Sequence, residues 1–259
     1  MIESTVWARL RALGLSAMVD EALRQQQSPS LAPLTFEERL GLLVDAEWIA
    51  RENRQLTRRL REAQLRIAAT PEAIDYTVPR QWDPTVVRQL AQGLWVGLHQ
   101  TVTVTGPTGV GKSFVVCAFG HAACRRNFRV RYYRVPRLLA DGVVAKHEGT
   151  WFRWLKHLLR YDLLILDDWA LHPLTVEESR DLLEILDDRY QARATAIASQ
   201  VPIEHWHEWF PDATVADAVL DRIIHQAYRI TMNGESMRKV LPNGPISDTI
   251  QSSDDGPRS

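Results

Sequence analysis

Residues Gly106 to Ser113 read Gly-Pro-Thr-Gly-Val-Gly-Lys-Ser, and no other stretch restricts the fold of this chain as much. The octet satisfies G-x-x-x-x-G-K-[ST], with Gly106, Gly111, Lys112 and Ser113 at the fixed positions and Pro107, Thr108, Gly109 and Val110 at or between them. In such a loop the glycines let the backbone curl until several N–H groups point inward at phosphate oxygens. The lysine reaches the β- and γ-phosphates, and the hydroxyl ligates Mg²⁺. The flanks agree: Thr101–Thr105 alternates β-branched residues like a strand, and Phe114 to Cys124 has helical character. A strand–loop–helix unit adds the positive end of the helix dipole to the anion site. Gly106 to Phe114 is therefore the expected phosphate cradle of an α/β domain, and a nucleoside triphosphate with Mg²⁺ is the expected ligand.

A second element lies about fifty residues on. Asp162-Leu-Leu-Ile-Leu-Asp-Asp168 is an apolar run closed by two carboxylates. Such a run suits a central parallel strand buried on both faces, with Asp167 emerging beside the phosphate loop. There Asp167 and Ser113 would hold Mg²⁺, and Asp168 could orient an attacking water. The pair of motifs describes a P-loop ATPase or GTPase. Thr195 to Gln200 is another apolar strand with a polar end, so either Ser199 or Gln200 would emerge near Asp167. The helix from Asp217 to His225 presents Asp221-Arg222. Arg222 could neutralise transition-state charge on a neighbouring subunit's nucleotide, or make an ordinary ion pair.

With 259 residues, 45% of them apolar and 24% charged, the chain can build one full core and a smaller module. No apolar stretch approaches the roughly 20 residues of a membrane span. The N-terminus lacks the basic and apolar regions of a signal peptide. Cys117 and Cys124 sit seven apart on one helix, about 10 Å, too far for a bridge. A reduced, cytoplasmic setting is the natural reading. Net charge is −1, so any anionic partner must be met by local patches. Of 31 basic residues only Lys112, Lys146, Lys156 and Lys239 are lysines; the others are arginine, the side chain suited to forked phosphate contacts.

Two segments concentrate that charge. From Arg51 to Arg66 six arginines face Glu52 and Glu62. Arg51, Arg54, Arg58 and Arg61 share one helix face, while Leu56, Leu60, Ala63 and Ile67 form an apolar stripe on another. From Arg125 to Arg137 there are six arginines and no acid, read as helix end, strand and following loop. Arg134 and Arg137 are the better candidates for a DNA backbone, with Arg51, Arg54, Arg58 and Arg61 as a second set; a solvated face is the plain alternative for both.

Residues 1–75 read as an all-helical N-terminal domain suited to partner or DNA interaction. Ser16 is placed to cap its second helix, and Thr35-Phe-Glu-Glu38 forms a capping box ahead of a long helix carrying Leu40, Leu43, Val44 and Ile49. Pro71, Pro79 and Pro84 punctuate a linker. Residues 76–242 then alternate α and β, with strands expected at Thr101–Thr105, Phe128–Val135, Leu163–Asp168, Thr195–Gln200 and Tyr228–Met232. Residues 243–259 read as a disordered tail.

Thr35 to Leu40, Gly106 to Ser113, Ile165 to Trp169, Ser199 to Trp206, Asp221-Arg222 and Gly234 to Lys239 stand in an order that resembles the IstB family over residues 7–240. These are helper ATPases of insertion-sequence transposition, relatives of DnaC-type helicase loaders. The resemblance implies an AAA+ fold with sheet order 5-1-4-3-2; too few residues follow the last expected strand for the C-terminal helical lid usual in AAA+ proteins, so none is expected. It implies ATP bound between subunits in a ring or filament, binding to duplex DNA, and delivery of a target to a partner transposase. It carries the phosphate lysine onto Lys112, the magnesium ligands onto Ser113 and Asp167, and the catalytic acid onto Asp168. The polar sensor falls on Gln200, the arginine finger on Arg222 and a second sensor on Arg238. Many AAA+ proteins have Glu where Asp168 stands; one methylene less implies a loosely held water and slow hydrolysis. The runner-up reading is a replicative helicase loader preferring single-stranded DNA; a small-molecule P-loop kinase is more distant, lacking an acceptor pocket and any use for Arg222.

Overall fold

A computed structural model describes residues 2–237, apart from 32 and 226. Arg238, the tail from 243, and the stretch in which a C-terminal lid would begin lie outside the described residues. Three helices come first: α1 (Ile2–Ala12), α2 (Ser16–Gln27) and α3 (Phe36–Ala63). After a short α4 (Pro84–Leu90) the alternation begins, in chain order β1 (Thr101–Thr105), α5 (Lys112–Arg125), β2 (Val130–Arg134), α6 (Val135–His147), α7 (Trp151–Leu158), β3 (Leu163–Trp169), α8 (Val176–Arg189), β4 (Ala194–Ser199), α9 (Ala213–Ile224) and β5 (Ala227–Thr231). The strands form one parallel sheet in the order β2-β3-β4-β1-β5, the expected 5-1-4-3-2 read from the other edge.

Strand parity divides the interior in two. Leu163 and Ile165 of β3 face α5 with Val102, Val104, Val130, Ala196 and Phe119. Leu164 and Leu166, with Ile197 of β4, face α6, α7, α8 and α9. A strand covered on both sides has no polar face, which is why β3 runs apolar from Leu163 to Leu166 and β4 is broken only by the small buried Thr195 before Ser199.

The long helix α3 belongs to both parts of the molecule. At about 1.5 Å per residue its 28 residues span roughly 42 Å. Thr35 caps it as expected: Glu38 N–H donates to Thr35 Oγ1 (3.3 Å) and Thr35 N–H donates to Glu38 Oε2 (2.8 Å). Its second half carries the anticipated stripe, Leu56, Leu60 and Ala63, into the core against α5 and β2. Arg59, also buried, donates through Nε to the Cys124 carbonyl. The first half holds α2 but leaves Leu40, Val44 and Ile49 exposed along with Phe36 and Trp48.

Ser16 does not cap α2. The N-cap residue is Leu15 and makes no side-chain cap bond. Glu47, reaching across from α3 with only 4% exposure, accepts from Ala17 N–H (3.0 Å) and Met18 N–H (3.4 Å) in its place. A carboxylate at a helix start also meets the positive dipole end. Burial works to raise the Glu47 pKa, but Arg51, Arg54 and the two amides outweigh it and hold it below the ordinary value. The stabilisation is therefore complete above the ordinary carboxylate range and is lost as pH falls through the depressed folded value. Glu47→Ala is expected to cost about 1–3 kcal/mol, the scale of a buried hydrogen-bonding group removed from its partners, and to flatten this acid-side dependence. Denaturant unfolding at neutral and acid pH checks both.

Candidate active site

The phosphate loop is assembled where β1, β4 and β5 end. Gly106 has φ +147, and a Cβ there would lie 2.0 Å from the Met232 carbonyl oxygen; at Gly109 (φ +89) one would lie 2.1 Å from Ser236 Oγ. Backbone conformation and packing both require glycine at these two turns. The segment after β5 thus presses on the loop, and Met237 N–H donates to the Gly109 carbonyl at 2.9 Å. Lys112 begins α5 and is 7% exposed, its Nζ donating to the Gly106 and Pro107 carbonyls at 2.7 and 2.8 Å. Those are the bonds that a phosphate oxygen would compete for.

A cleft of about 410 Å³ joins the loop to the acid pair. Thr108, Gly109, Gly111, Lys112, Ser113 and Phe114 line one side; Asp167, Asp168, Gln200, Arg66, Arg134 and Met237 complete it. Asp167, 2% exposed, accepts from the Tyr132 hydroxyl (2.6 Å) and from Asp168 N–H (2.9 Å). Burial and the adjacent carboxylate push the Tyr132 pKa well up, keeping it a donor. Asp168 sits in a bulge: Leu166 pairs with Ile197 but Trp169 pairs with Ser199, so β3 carries one extra residue there. The kink places Asp168 at φ +57, a left-handed conformation tolerated by Asp, and turns its carboxylate into the cleft. Ser113 and Asp167 offer hard oxygen donors to one cleft, the chemistry Mg²⁺ takes, and they fit it.

Of the two polar candidates at the end of β4, the geometry separates Ser199 from Gln200. Ser199 Oγ is buried, donating to the Trp169 carbonyl and accepting from Val201 N–H. Gln200 Oε1 accepts from Thr108 Oγ1 at 2.6 Å across the cleft.

Arg222 lies elsewhere. It lines a small hollow with His99, Gln100, Thr101 and Thr195, at the N-terminal ends of β1 and β4. Its Nε donates to Asp187 Oδ1 at 2.6 Å and its Nη1 to the Ala218 carbonyl. Five residues of β1 separate that end from the phosphate loop, roughly 16 Å.

The arginines proposed from the sequence for DNA have varied surroundings. Arg134 is ion-paired with Asp168 inside the cleft. Arg137 is not on a loop, because α6 starts directly after β2 with Pro136 in its first turn; it is exposed and pairs with Asp141. Arg51 and Arg54 hold Glu47, Arg58 approaches Glu62 at 3.8 Å, and Arg61 is exposed. Sequence reasoning missed Arg66 and Met237 in the lining of the cleft, and Tyr132 as the hydroxyl donor to Asp167. For Tyr132 a signal existed, since β2 runs beside β3 and sets Arg134 opposite Asp167.

Fold and cleft together define an α/β protein of the P-loop class, built to bind a nucleoside triphosphate. The family profile described as IstB-like ATP binding protein matches residues 8–241, and the chain belongs to that family. Among its relatives, the insertion-sequence ATP-binding protein y4pL of Sinorhizobium fredii (strain NBRC 101917 / NGR234) is 44% identical over 231 residues, covering 89% of this chain and 94% of that protein. The ATP-binding protein of insertion sequence IS1162 from Pseudomonas fluorescens is 39% identical over 203 residues, 78% of this chain and 88% of that one. The crystal structure of DnaI shares the fold with a TM-score of 0.56 at 18% identity, covering 64% of this chain and 92% of its own. Among the described residues no helix is long and apolar enough to cross a membrane.

Proposed function

We propose that this protein is an ATPase that assembles on duplex DNA with ATP and serves a partner transposase as a target-selecting helper. The observation that carries the reading is the placement of Arg222 and Lys112 at opposite ends of one sheet. Arg222 stands too far from its own phosphate loop to serve it, which leaves a neighbour's cleft as the one it could serve; in this reading ATP is clamped between copies, Arg222 of one facing Lys112 and Asp167 of the next. Contacts of that kind are heterologous and generate closed rings or helical filaments. Relatives named as insertion-sequence ATP-binding proteins support the transposition setting.

Within the cleft, Lys112 and the loop amides hold the β- and γ-phosphates. Ser113 and Asp167 would hold Mg²⁺, which when bound offsets charge on the phosphate oxygens. Asp168 orients the attacking water and Gln200, held by Thr108, reads the terminal phosphate. Turnover requires Asp168 to leave Arg134, and its short side chain keeps hydrolysis slow. Hydrolysis then dissolves the assembly.

Negative-stain imaging and anisotropy at one fixed salt concentration test this. Assemblies on duplex DNA are expected with a slowly hydrolysed ATP analogue and not with ADP. A preference for single strands would move the reading to a helicase loader. A monomer indifferent to nucleotide and DNA would end both.

A further inference from the structure

Arg66 belongs to no motif, yet it is built into the nucleotide cleft with unusual care. It follows α3 by three residues, in the turn set by Gln64 at φ +51. Leu65 lies so close to α5 that a Cβ on Gly120 would meet its Cδ2 at 2.9 Å. Leu65 and Ile67, on either side of Arg66, pack on the core that includes Val116, Cys117 and Phe119 of the same helix. The peptide carrying Arg66 is thus fastened to the helix that begins with Lys112.

The side chain reaches from there into the cleft. Its Nη1 stands 4.0 Å from Asp167 Oδ2 and 3.9 Å from Asp168 Oδ2. These two separations exceed hydrogen-bond length, so the fork is drawn toward the acids without closing on them. Arg134, in contrast, is closed on Asp168. Arg66 makes no such closed pair with an acid, so it is the more readily redirected of the two cations at the acid end. That end receives the terminal phosphate, because Lys112 takes the β- and γ-phosphates and Asp167 the divalent cation. A divalent cation held by Asp167 would repel the nearby guanidinium, whereas the oxygens of a γ-phosphate would attract it, and the fork can donate to two of them.

We propose that Arg66 is a cis-acting contact for the terminal phosphate, through which the end of α3 distinguishes a bound nucleoside triphosphate from a diphosphate. The inference rests on the ATP reading of this cleft and adds to it a residue outside the phosphate loop and the acid strand.

Titration of the full chain with fluorescent ADP and a fluorescent non-hydrolysable ATP analogue, in excess Mg²⁺, tests it. Arg66→Ala is expected to weaken the triphosphate by about tenfold or more, the scale of one lost hydrogen bond to a charged group, and the diphosphate by less than about twofold. Arg66→Lys should recover part of the difference, and both variants should melt like the wild type without nucleotide. Equal weakening of both nucleotides, or of neither, overturns the proposal and leaves the ATP reading standing. Lys112→Ala in parallel separates the two: if that variant binds both nucleotides normally, the phosphate-loop reading fails and Arg66 loses its role with it.

Discussion

Lys112→Ala is expected to reduce nucleotide binding by at least two orders of magnitude and to abolish every ATP-dependent step. Two charge-assisted hydrogen bonds to phosphate oxygens are lost, each worth about 1.5–3 kcal/mol. Nothing nearby replaces them. Arg134 is engaged by Asp168, and Arg66 enters the cleft on the acid side. The ammonium also donates to the Gly106 and Pro107 carbonyls, so the loop itself loosens. A melting curve of the nucleotide-free variant measures that second loss separately. The decisive reading is assembly on duplex DNA: ATP-driven complexes of wild-type size formed by Lys112→Ala would refute the model of ATP-governed association.

The parts of this molecule that obey a local rule were legible in its sequence. Thr101–Thr105 is a strand at those bounds because β-branched residues alternate there and glycine stops them. The phosphate loop could be read because its chemistry depends on neighbours in the chain, and Thr35 and Glu38 cap α3 for the same reason. Where the outcome depends on residues far apart, the reading fell short. Ser16 looked like a cap, yet Glu47, about thirty residues on, took the amides and paired with Arg51 and Arg54. No periodicity reveals that an acid one turn before an arginine will be buried. Arg66 and Asp167 are about a hundred residues apart, and only the docking of the α3 end on α5 brings them together. The bulge carrying Asp168 was equally hidden, since an extra residue shows only against a partner strand. On α3 the period of 3.6 placed Leu56 and Leu60 correctly in the core. The same period gave no means of knowing that Leu40, Val44 and Ile49 would remain exposed.

Arg222→Ala is expected to bind ATP normally and to lose turnover by about a thousandfold or more, the range for an arginine supplied across an interface. Normal binding follows from position, since Arg222 lies at the far end of the sheet from its own phosphate loop. The fold should survive. The Arg222–Asp187 pair is partly exposed and contributes at most about 1 kcal/mol, and Ile223 and Val219 beside it keep α9 in the core. A trans role makes a sharper demand in mixtures. Asp167→Asn is expected to be inactive through its cleft while its Arg222 stays intact; Arg222→Ala has the opposite defect. When the two are mixed in equal amounts, roughly one interface in four joins a sound cleft to a sound arginine, and activity should return on that scale. Hydrolysis measured against mixing ratio should peak near equality, with neither variant active alone. A flat, inactive profile from two variants that still co-assemble would place the chemistry of Arg222 outside the interface, and the clamped-nucleotide arrangement would have to be abandoned.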